Sequence, residues 1–217
     1  MKRLICIFTL LMIIFLTSCG KDIPPGGTQG TDVSSKAAEP EKVYTVQEVE
    51  AAIAEALGDG YYCDTEKNAE NIEYTFFADL DFSKLDSYIL KVYNDDVLKL
   101  DTTAVLNCKE DYVDTAIDKL NFFLAASYRY VKAYPFSVTS LSKVENARLF
   151  RHGNTVILVL GGSDLDETAS EEEKAEHALD EYKKVDKAVK ELYGELPENI
   201  ADIEGAFKKY YPGESLN

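Results

Sequence analysis

A cysteine near the start of the chain has neighbours that suit a reaction at its thiol. Residues 4–16 form a nearly unbroken apolar run that follows two basic residues, and Leu16-Thr17-Ser18-Cys19 closes it. At about 1.5 Å per residue the run would reach roughly 20 Å as a helix, short of the ~30 Å hydrocarbon core of a membrane. The run therefore predicts the apolar part of a signal peptide rather than a permanent membrane span. A thiol is a nucleophile, and the small side chains before Cys19 leave the adjoining peptide bond open to a peptidase.

Leu16-Thr17-Ser18-Cys19 resembles the bacterial lipobox, in which an aliphatic residue and two small residues precede a cysteine. The resemblance implies that residues 1–18 are removed and that Cys19 carries a diacylglyceryl thioether. The lipid would hold the chain on the outer face of the cell membrane. Ordinary secretion with an incidental cysteine is the alternative. Residues 19–43 are rich in Gly, Pro, Ser and Thr, which predicts a flexible tether with a root-mean-square span on the order of 25 Å.

The chain is strongly acidic. It has 23 Lys and Arg against 39 Asp and Glu, a formal net charge of -16, and loss of Lys2 and Arg3 with the leader takes the mature chain to -18. Such a surface repels nucleic acid, so the charge excludes nucleic-acid binding. Hydrophobic residues make up 46% of the chain, which predicts a packed core.

Two further cysteines, Cys63 and Cys108, remain in the mature chain beside Cys19. Outside the cytoplasm they could form a disulfide, which would stabilise the fold by roughly 4 kcal/mol through its constraint on the unfolded chain. Cys108 ends a predicted buried strand, so a buried free thiol is an equally open interpretation.

The remaining polar residues show no catalytic or metal-binding signature. His152 falls at a predicted hairpin tip, where we expect an exposed turn residue, and His177 is expected to be solvated. Neither has the partners of a standard zinc motif. Asp79-Asp81 and Asp164-Asp166 lack the glycine turn and the terminal glutamate of an EF-hand loop. We therefore predict no catalytic residue, no metal site and no cofactor.

Tyrosine is abundant, with 14 residues, while tryptophan does not occur. A tyrosine ring can stack and form a hydrogen bond at once, which suits the binding of a carbohydrate or a peptide. The same rings can fill the margins of a core, and the sequence favours that plainer interpretation.

The elements that position these residues follow from the spacing of apolar side chains. Thr45-Val46-Gln47-Glu48 has the spacing of a capping box, which predicts a helix that ends at Gly58-Asp59-Gly60. The other predicted elements are a short strand at 72–77, a helix at 83–93, a buried strand at 102–108, an amphipathic helix at 111–132 before Pro135, and a hairpin of strands 147–151 and 155–160.

This order of elements predicts an α+β fold, a small antiparallel sheet with helices packed on one face. Residues 44–162 would form the domain, and residues 163–217 an acidic helical extension. The extension holds sixteen acidic residues against seven lysines, and its apolar residues recur at steps of three and four. Docking of this helix onto its own domain is favoured over a self-associating coiled coil.

Several short motifs in residues 44–162 carry a resemblance to a known family. They are the strand that begins near Ala104, the helix with Val113 and Ile117, and Asn146-Ala147 leading to Gly153-Asn154 and the strand 156–159. In these features the stretch resembles an uncharacterised domain family of lipoproteins from Gram-positive, Firmicutes-type bacteria. The resemblance implies an exported, lipid-anchored domain and brings no function with it.

These observations lead us to expect a membrane-anchored extracytoplasmic lipoprotein whose domain is a non-catalytic binding module. Its partners would be the membrane, through the lipid on Cys19, and an envelope protein or glycan. The alternative is a cell-envelope hydrolase with carboxylate catalysis, which requires a desolvated Asp or Glu in an acidic cleft. A third hypothesis is a role in assembly through the C-terminal helix.

Overall fold

The computed structural model describes residues 43–72, 77, 79–93, 99–134, 139–166 and 168–216. The predicted signal peptide, Cys19 and nearly all of the tether lie outside the described residues, as does most of the strand predicted at 72–77. The described residues confirm the α+β fold, because one antiparallel sheet in the order β1-β2-β3-β5-β4 is packed by helices. The strands are β1 (Thr65–Glu66), β2 (Leu85–Val92), β3 (Thr102–Cys108), β4 (Arg148–His152) and β5 (Thr155–Leu160). The helices are α1 (Val46–Leu57), α2 (Val113–Ala133), α3 (Leu141–Glu145), α4 (Glu171–Tyr193) and α5 (Ile203–Tyr210).

The predicted capping box starts α1. The Glu48 backbone N–H donates to Thr45 Oγ1 at 3.2 Å, and the Thr45 N–H donates to the Glu48 carboxylate at 2.8 Å. These two bonds satisfy N–H groups that a helix N-terminus otherwise leaves without partners. Gly58, at φ +53°, ends the helix because it adopts a backbone conformation that other residues rarely take.

The helix predicted at residues 83–93 is wrong, because this segment contains strand β2. The cause is a β-bulge, since Leu85 pairs with Cys108 and Ser87 with Asn107, which leaves Asp86 as an extra residue. The bulge shifts the alternation of buried side chains along the strand. Ile89 and Leu90 are then both buried, because both faces of the sheet are covered here. Together these effects imitate helical spacing.

Helices cover both faces of the sheet, not one face as predicted. Residues 102–106 of β3 and 156–160 of β5 are buried without interruption, which requires cover on each side. α1 packs on α4 and contacts β2 and β3, whereas α2 packs on α5 and contacts β5. The sheet is therefore the middle of three layers, and α3 contacts both α2 and α4.

The acidic C-terminal residues belong to the same core. α4 buries Tyr182 against the domain, in agreement with the predicted docking, and α5 buries Phe207. Between these helices the chain runs along the edge strand β4, where the Ile200 N–H donates to Leu149 O at 2.8 Å and the Leu149 N–H to Asn199 Oδ1 at 2.9 Å. The segment thus leads the chain around one edge of the sheet and pairs that edge.

Candidate functional site

The cysteines of the described residues are thiols. Cys63 and Cys108 are both free and buried, so the disulfide considered from the sequence is not formed. Cys63 Sγ lies 3.7 Å from Thr103 Oγ1, and Thr103 and Cys108 are five residues apart in β3, which separates their Cα atoms by roughly 17 Å at about 3.3 Å per residue. A disulfide needs Cα atoms within about 7 Å. Burial raises the pKa of Cys63 to about 12 and that of Cys108 to about 11, so neither thiol is ionised at neutral pH.

Both histidines are more enclosed than the sequence predicted. His152 is the last residue of β4, and its ring stacks on Tyr193 with centroids 4.1 Å apart. His177 Nε2 lies 2.9 Å from Ser163 Oγ and 3.0 Å from Ser163 O, because α4 passes over the segment that follows β5. The expectations of an exposed turn residue and a solvated helix residue are therefore wrong.

The carboxylate pairs are not joint sites. Asp81 accepts from the Ser83 N–H at 3.0 Å and so begins a short 3-10 turn, while Asp79 faces Lys119. Asp166 is exposed and accepts from the Thr168 N–H at 2.9 Å. Among the described residues, no group of three or more His, Cys, Asp or Glu side chains is arranged to hold a metal ion.

Four charged side chains meet at one end of the sheet, and we call them the buried charge cluster: Lys99, Asp101, Lys143 and Asp164. Thr102 of β3 pairs with Leu160 of β5, so the residue before β3 and the residues after β5 lie together. Asp101 is the residue before β3, and Asp164 lies in the segment after β5. Lys143 reaches both of them from α3. The register of the sheet thus brings together residues that are far apart in the chain.

Lys143 lies at the centre of this cluster. Its Nζ is 2.6 Å from Asp164 Oδ1 and 3.4 Å from Asp101 Oδ1, and it donates to Gly162 O at 2.8 Å. Only 3% of the Lys143 side chain and 0% of the Asp101 side chain are exposed. The two lysines and the two aspartates of the cluster carry equal and opposite charge. Buried charges are tolerated in a protein when they are paired in this way.

Lys99 closes the outer side of the cluster. Its Nζ lies 3.3 Å from Asp164 Oδ2 and 3.2 Å from the centroid of the Tyr62 ring, a cation–π contact. On the inner side, the Tyr182 hydroxyl donates to the backbone carbonyl of Lys143 at 2.9 Å, and burial raises the pKa of this phenol. The cluster is therefore held by α3, by α4 and by the segments next to β3 and β5.

The carboxylates of the cluster are held by ion pairs more than by aligned hydrogen bonds. Asp101 Oδ2 is buried without a hydrogen-bond partner among the described residues, and both Asp164 oxygens contact lysine ammonium groups without the alignment of a hydrogen bond. Burial raises the pKa of Asp101 to about 6, and Asp164 adds to this effect while Lys143 opposes it. Asp101 thus holds its proton more tightly than an ordinary aspartate.

A second ion pair, which is only partly buried, lies elsewhere in the domain. Lys91 Nζ is 2.8 Å from Glu50 Oε1, and the Tyr61 hydroxyl donates to the same oxygen at 2.5 Å. Desolvation is the main reason that the pKa of Tyr61 is raised. Tyr61 is thus the third member of this group, whereas the third member of the Lys143–Asp164 contact is the carboxyl of Asp101.

A cleft of about 560 Å³ lies where the C-terminal end of α2 meets α5 and the last residues, and we call it the aromatic cleft. Tyr134 is 53% exposed, and its ring lies 4.7 Å from that of Tyr130. Arg129 Nε is 2.8 Å from Glu214 and its guanidinium lies over the Tyr211 ring. The lining consists of Arg129, Lys132, Ala133, Tyr134, Phe207, Glu214 and Ser215. A second groove of about 470 Å³, between α1 and α4, has no ring in its lining.

Sequence reasoning missed most of the buried charge cluster. Asp101 directly precedes a strand of buried residues, which is a weak signal for a carboxyl near the core. Lys143 lies in a helix of five residues, and nothing in its local spacing distinguishes it from an exposed lysine.

Comparison with known proteins finds no relative of this chain. No protein-family model, no curated protein and no solved structure matches the chain. Among the residues that the structure describes, no helix combines the length and the apolar character needed to cross a membrane.

Proposed function

We propose that the protein is a lipid-anchored, non-catalytic binding module of the bacterial cell envelope, and that the aromatic cleft binds a glycan. The lipobox-like residues 16–19 support attachment through Cys19 to the outer face of the cell membrane. The exposed ring of Tyr134 beside an open cleft is the observation that supports glycan binding.

The chemistry of the cleft suits a sugar. The flat face of a tyrosine can stack on a pyranose ring. Charged and polar side chains around it can form hydrogen bonds with the hydroxyl groups of the sugar. Arg129 pairs with Glu214 and Lys132 donates to Leu216 O, which places polar groups around the exposed Tyr134 ring.

The hydrolase alternative gains no support from the buried charge cluster. Asp101 has the raised pKa that a general acid needs. A general acid must also come within hydrogen-bond distance of its substrate, whereas the Asp101 side chain is enclosed by the protein. This carboxyl can act on neighbouring side chains but does not meet a ligand from outside.

Binding to envelope glycan tests the proposed function. The protein with Cys19→Ala would be mixed with envelope glycan that has been treated with protease, and the bound fraction measured by sedimentation. A stacked ring contributes about 0.5–1.5 kcal/mol, so Tyr134→Ala should weaken binding roughly 2- to 10-fold. Leu179→Ala is the matched control, because Leu179 is exposed on α4, away from the cleft.

Two results would contradict this proposal. Loss of binding after protease treatment would show that the partner is a protein. Equal binding by the Tyr134 and Leu179 variants would show that the aromatic cleft is not the binding surface.

A further inference from the structure

A lysine and two aspartates are in contact inside the buried charge cluster. We propose that Lys143 and Asp164 become joined by an amide bond between Lys143 Nζ and Asp164 Cγ, and that Asp101 moves the protons in this reaction. The bond ties α3 to the segment that follows β5. It is a modification of the chain by its own side chains, and it is independent of the binding function proposed above.

The fold holds the amine against its target. Lys143 Nζ is 2.6 Å from Asp164 Oδ1, and this contact lacks the alignment of a hydrogen bond. Lys143 Nζ also donates to the carbonyl of Gly162, two residues before Asp164, which fixes the amine against that segment. Reacting groups held in contact avoid the entropy loss of a bimolecular encounter, and this raises the rate of bond formation by orders of magnitude.

The reaction needs a proton carrier beside the amine. An amide forms from an uncharged amine and a protonated carboxyl, so a proton must first pass from the Lys143 ammonium group towards the Asp164 carboxylate. Asp101 Oδ1 is 3.4 Å from Lys143 Nζ, and Asp101 Oδ2 is buried without a hydrogen-bond partner among the described residues. Burial also raises the pKa of Asp101 to about 6. Its carboxyl can therefore accept a proton from Lys143 Nζ and donate it to the oxygen that leaves Asp164.

The atoms and charges balance without an added reactant. Lys143 starts as an ammonium group and ends as an amide nitrogen with a single proton, so two protons leave the nitrogen. The nitrogen attacks Asp164 Cγ, the C–N bond forms, and one C–O bond breaks. The released oxygen leaves as water with the two protons, and Asp101 returns to its initial state. No group is oxidised or reduced.

Lys99 is placed to assist the attack. Its Nζ lies 3.3 Å from Asp164 Oδ2, the oxygen that gains negative charge in the tetrahedral intermediate. A fixed positive charge at that position stabilises the intermediate more than the starting carboxyl. The Lys91–Glu50 pair offers the contrast, since Tyr61 stands there in place of a second carboxyl. We expect that pair to remain ionic.

Peptide mass spectrometry tests the proposal on the whole mature protein. After denaturation and trypsin digestion, the bond predicts a branched peptide in which residues 133–148 are joined to residues 152–174, lighter than the two separate peptides by one water molecule. Cleavage after Lys143 should be lost. Samples taken during prolonged incubation after synthesis would show the branched peptide accumulating.

Variants assign the roles. Lys143→Met should abolish the branched peptide, Asp101→Asn should slow its formation at least tenfold, and Lys91→Met, the same change in the other ion pair, should leave it intact. The unaltered protein decides the question even where a variant fails to fold. Complete cleavage after Lys143 throughout the incubation would overturn the proposal, and so would an unchanged rate in a folded Asp101→Asn protein.

Discussion

Replacing Asp101 with Asn should change the way in which stability depends on pH. The folded state raises the pKa of Asp101 from its usual 3.8 to about 6, chiefly through burial. As the pH rises from about 4 to about 6, the unfolded chain ionises this carboxyl first, while the folded protein retains the proton. The carboxyl therefore lowers the free energy of unfolding across this window and changes it no further at higher pH.

The size of the effect follows from the same two values. At 1.36 kcal/mol per pH unit, the interval between 3.8 and about 6 corresponds to roughly 3 kcal/mol. Asn has the shape of the protonated carboxyl and cannot ionise. The stability of Asp101→Asn relative to the unaltered protein should thus increase by roughly 3 kcal/mol between about pH 3 and about pH 7.

Urea unfolding followed by circular dichroism at several pH values measures this difference. Asp166→Asn is the control, because Asp166 is exposed and its pKa is lowered by hydrogen bonds from Thr168. The contribution of the Asp166 carboxyl builds up as the pH rises to the usual value for an aspartate, so the Asp166→Asn difference should be nearly constant from about pH 5 to about pH 7. The reasoning would be refuted by an Asp101→Asn difference that is constant with pH, or that falls as the pH rises.

The amide bond proposed above leaves this prediction in place. Its formation removes the charges of Lys143 and Asp164 together, and burial, the main cause of the raised pKa of Asp101, remains. The two proteins are compared in the same state of the Lys143–Asp164 bond, because the bond removes two charges that act on Asp101.

Further predictions concern the surroundings of the cluster. Gly162 has φ +111° and a Cβ there would lie 2.8 Å from Glu181 Cβ, so Gly162→Ala should lower the free energy of unfolding by about 1–3 kcal/mol in a urea titration. Tyr182→Phe leaves a buried backbone carbonyl without its donor and should lower the same quantity by about 1–3 kcal/mol, whereas no change would contradict the hydrogen bond. Because Cys63 and Cys108 are buried, iodoacetamide should modify both only after denaturation, and rapid modification of the native protein would contradict their burial.

The elements with an uninterrupted pattern could be predicted from the sequence. The strand at residues 102–108, the capping box at Thr45 and the hairpin around Gly153 all depend on neighbouring residues, and the structure has each of them. Strand β2 could not be predicted in this way, because the bulge at Asp86 is a property of its pairing with β3. Local spacing carries no information about such a pairing.

The buried charge cluster could not be predicted for a related reason. Its members Asp101, Lys143 and Asp164 are widely separated along the chain. Each lies in or beside a short polar segment, and such a segment predicts exposure to solvent. Only the register of β3 with β5 and the docking of α3 bring them together. By contrast, the spacing of apolar residues after residue 162 predicted docking onto the domain, and Tyr182 and Phe207 lie in the same core as the sheet.

The most direct test of the lipid-anchored binding module is the chemical state of Cys19 in protein extracted from bacterial membranes. Mass spectrometry of the N-terminal peptide should show Cys19 as the first residue, with a diacylglyceryl group on its sulfur. Cys19→Ala should release the protein into the medium. A mature chain that begins elsewhere, or an unmodified Cys19 in membrane-bound protein, would contradict the account.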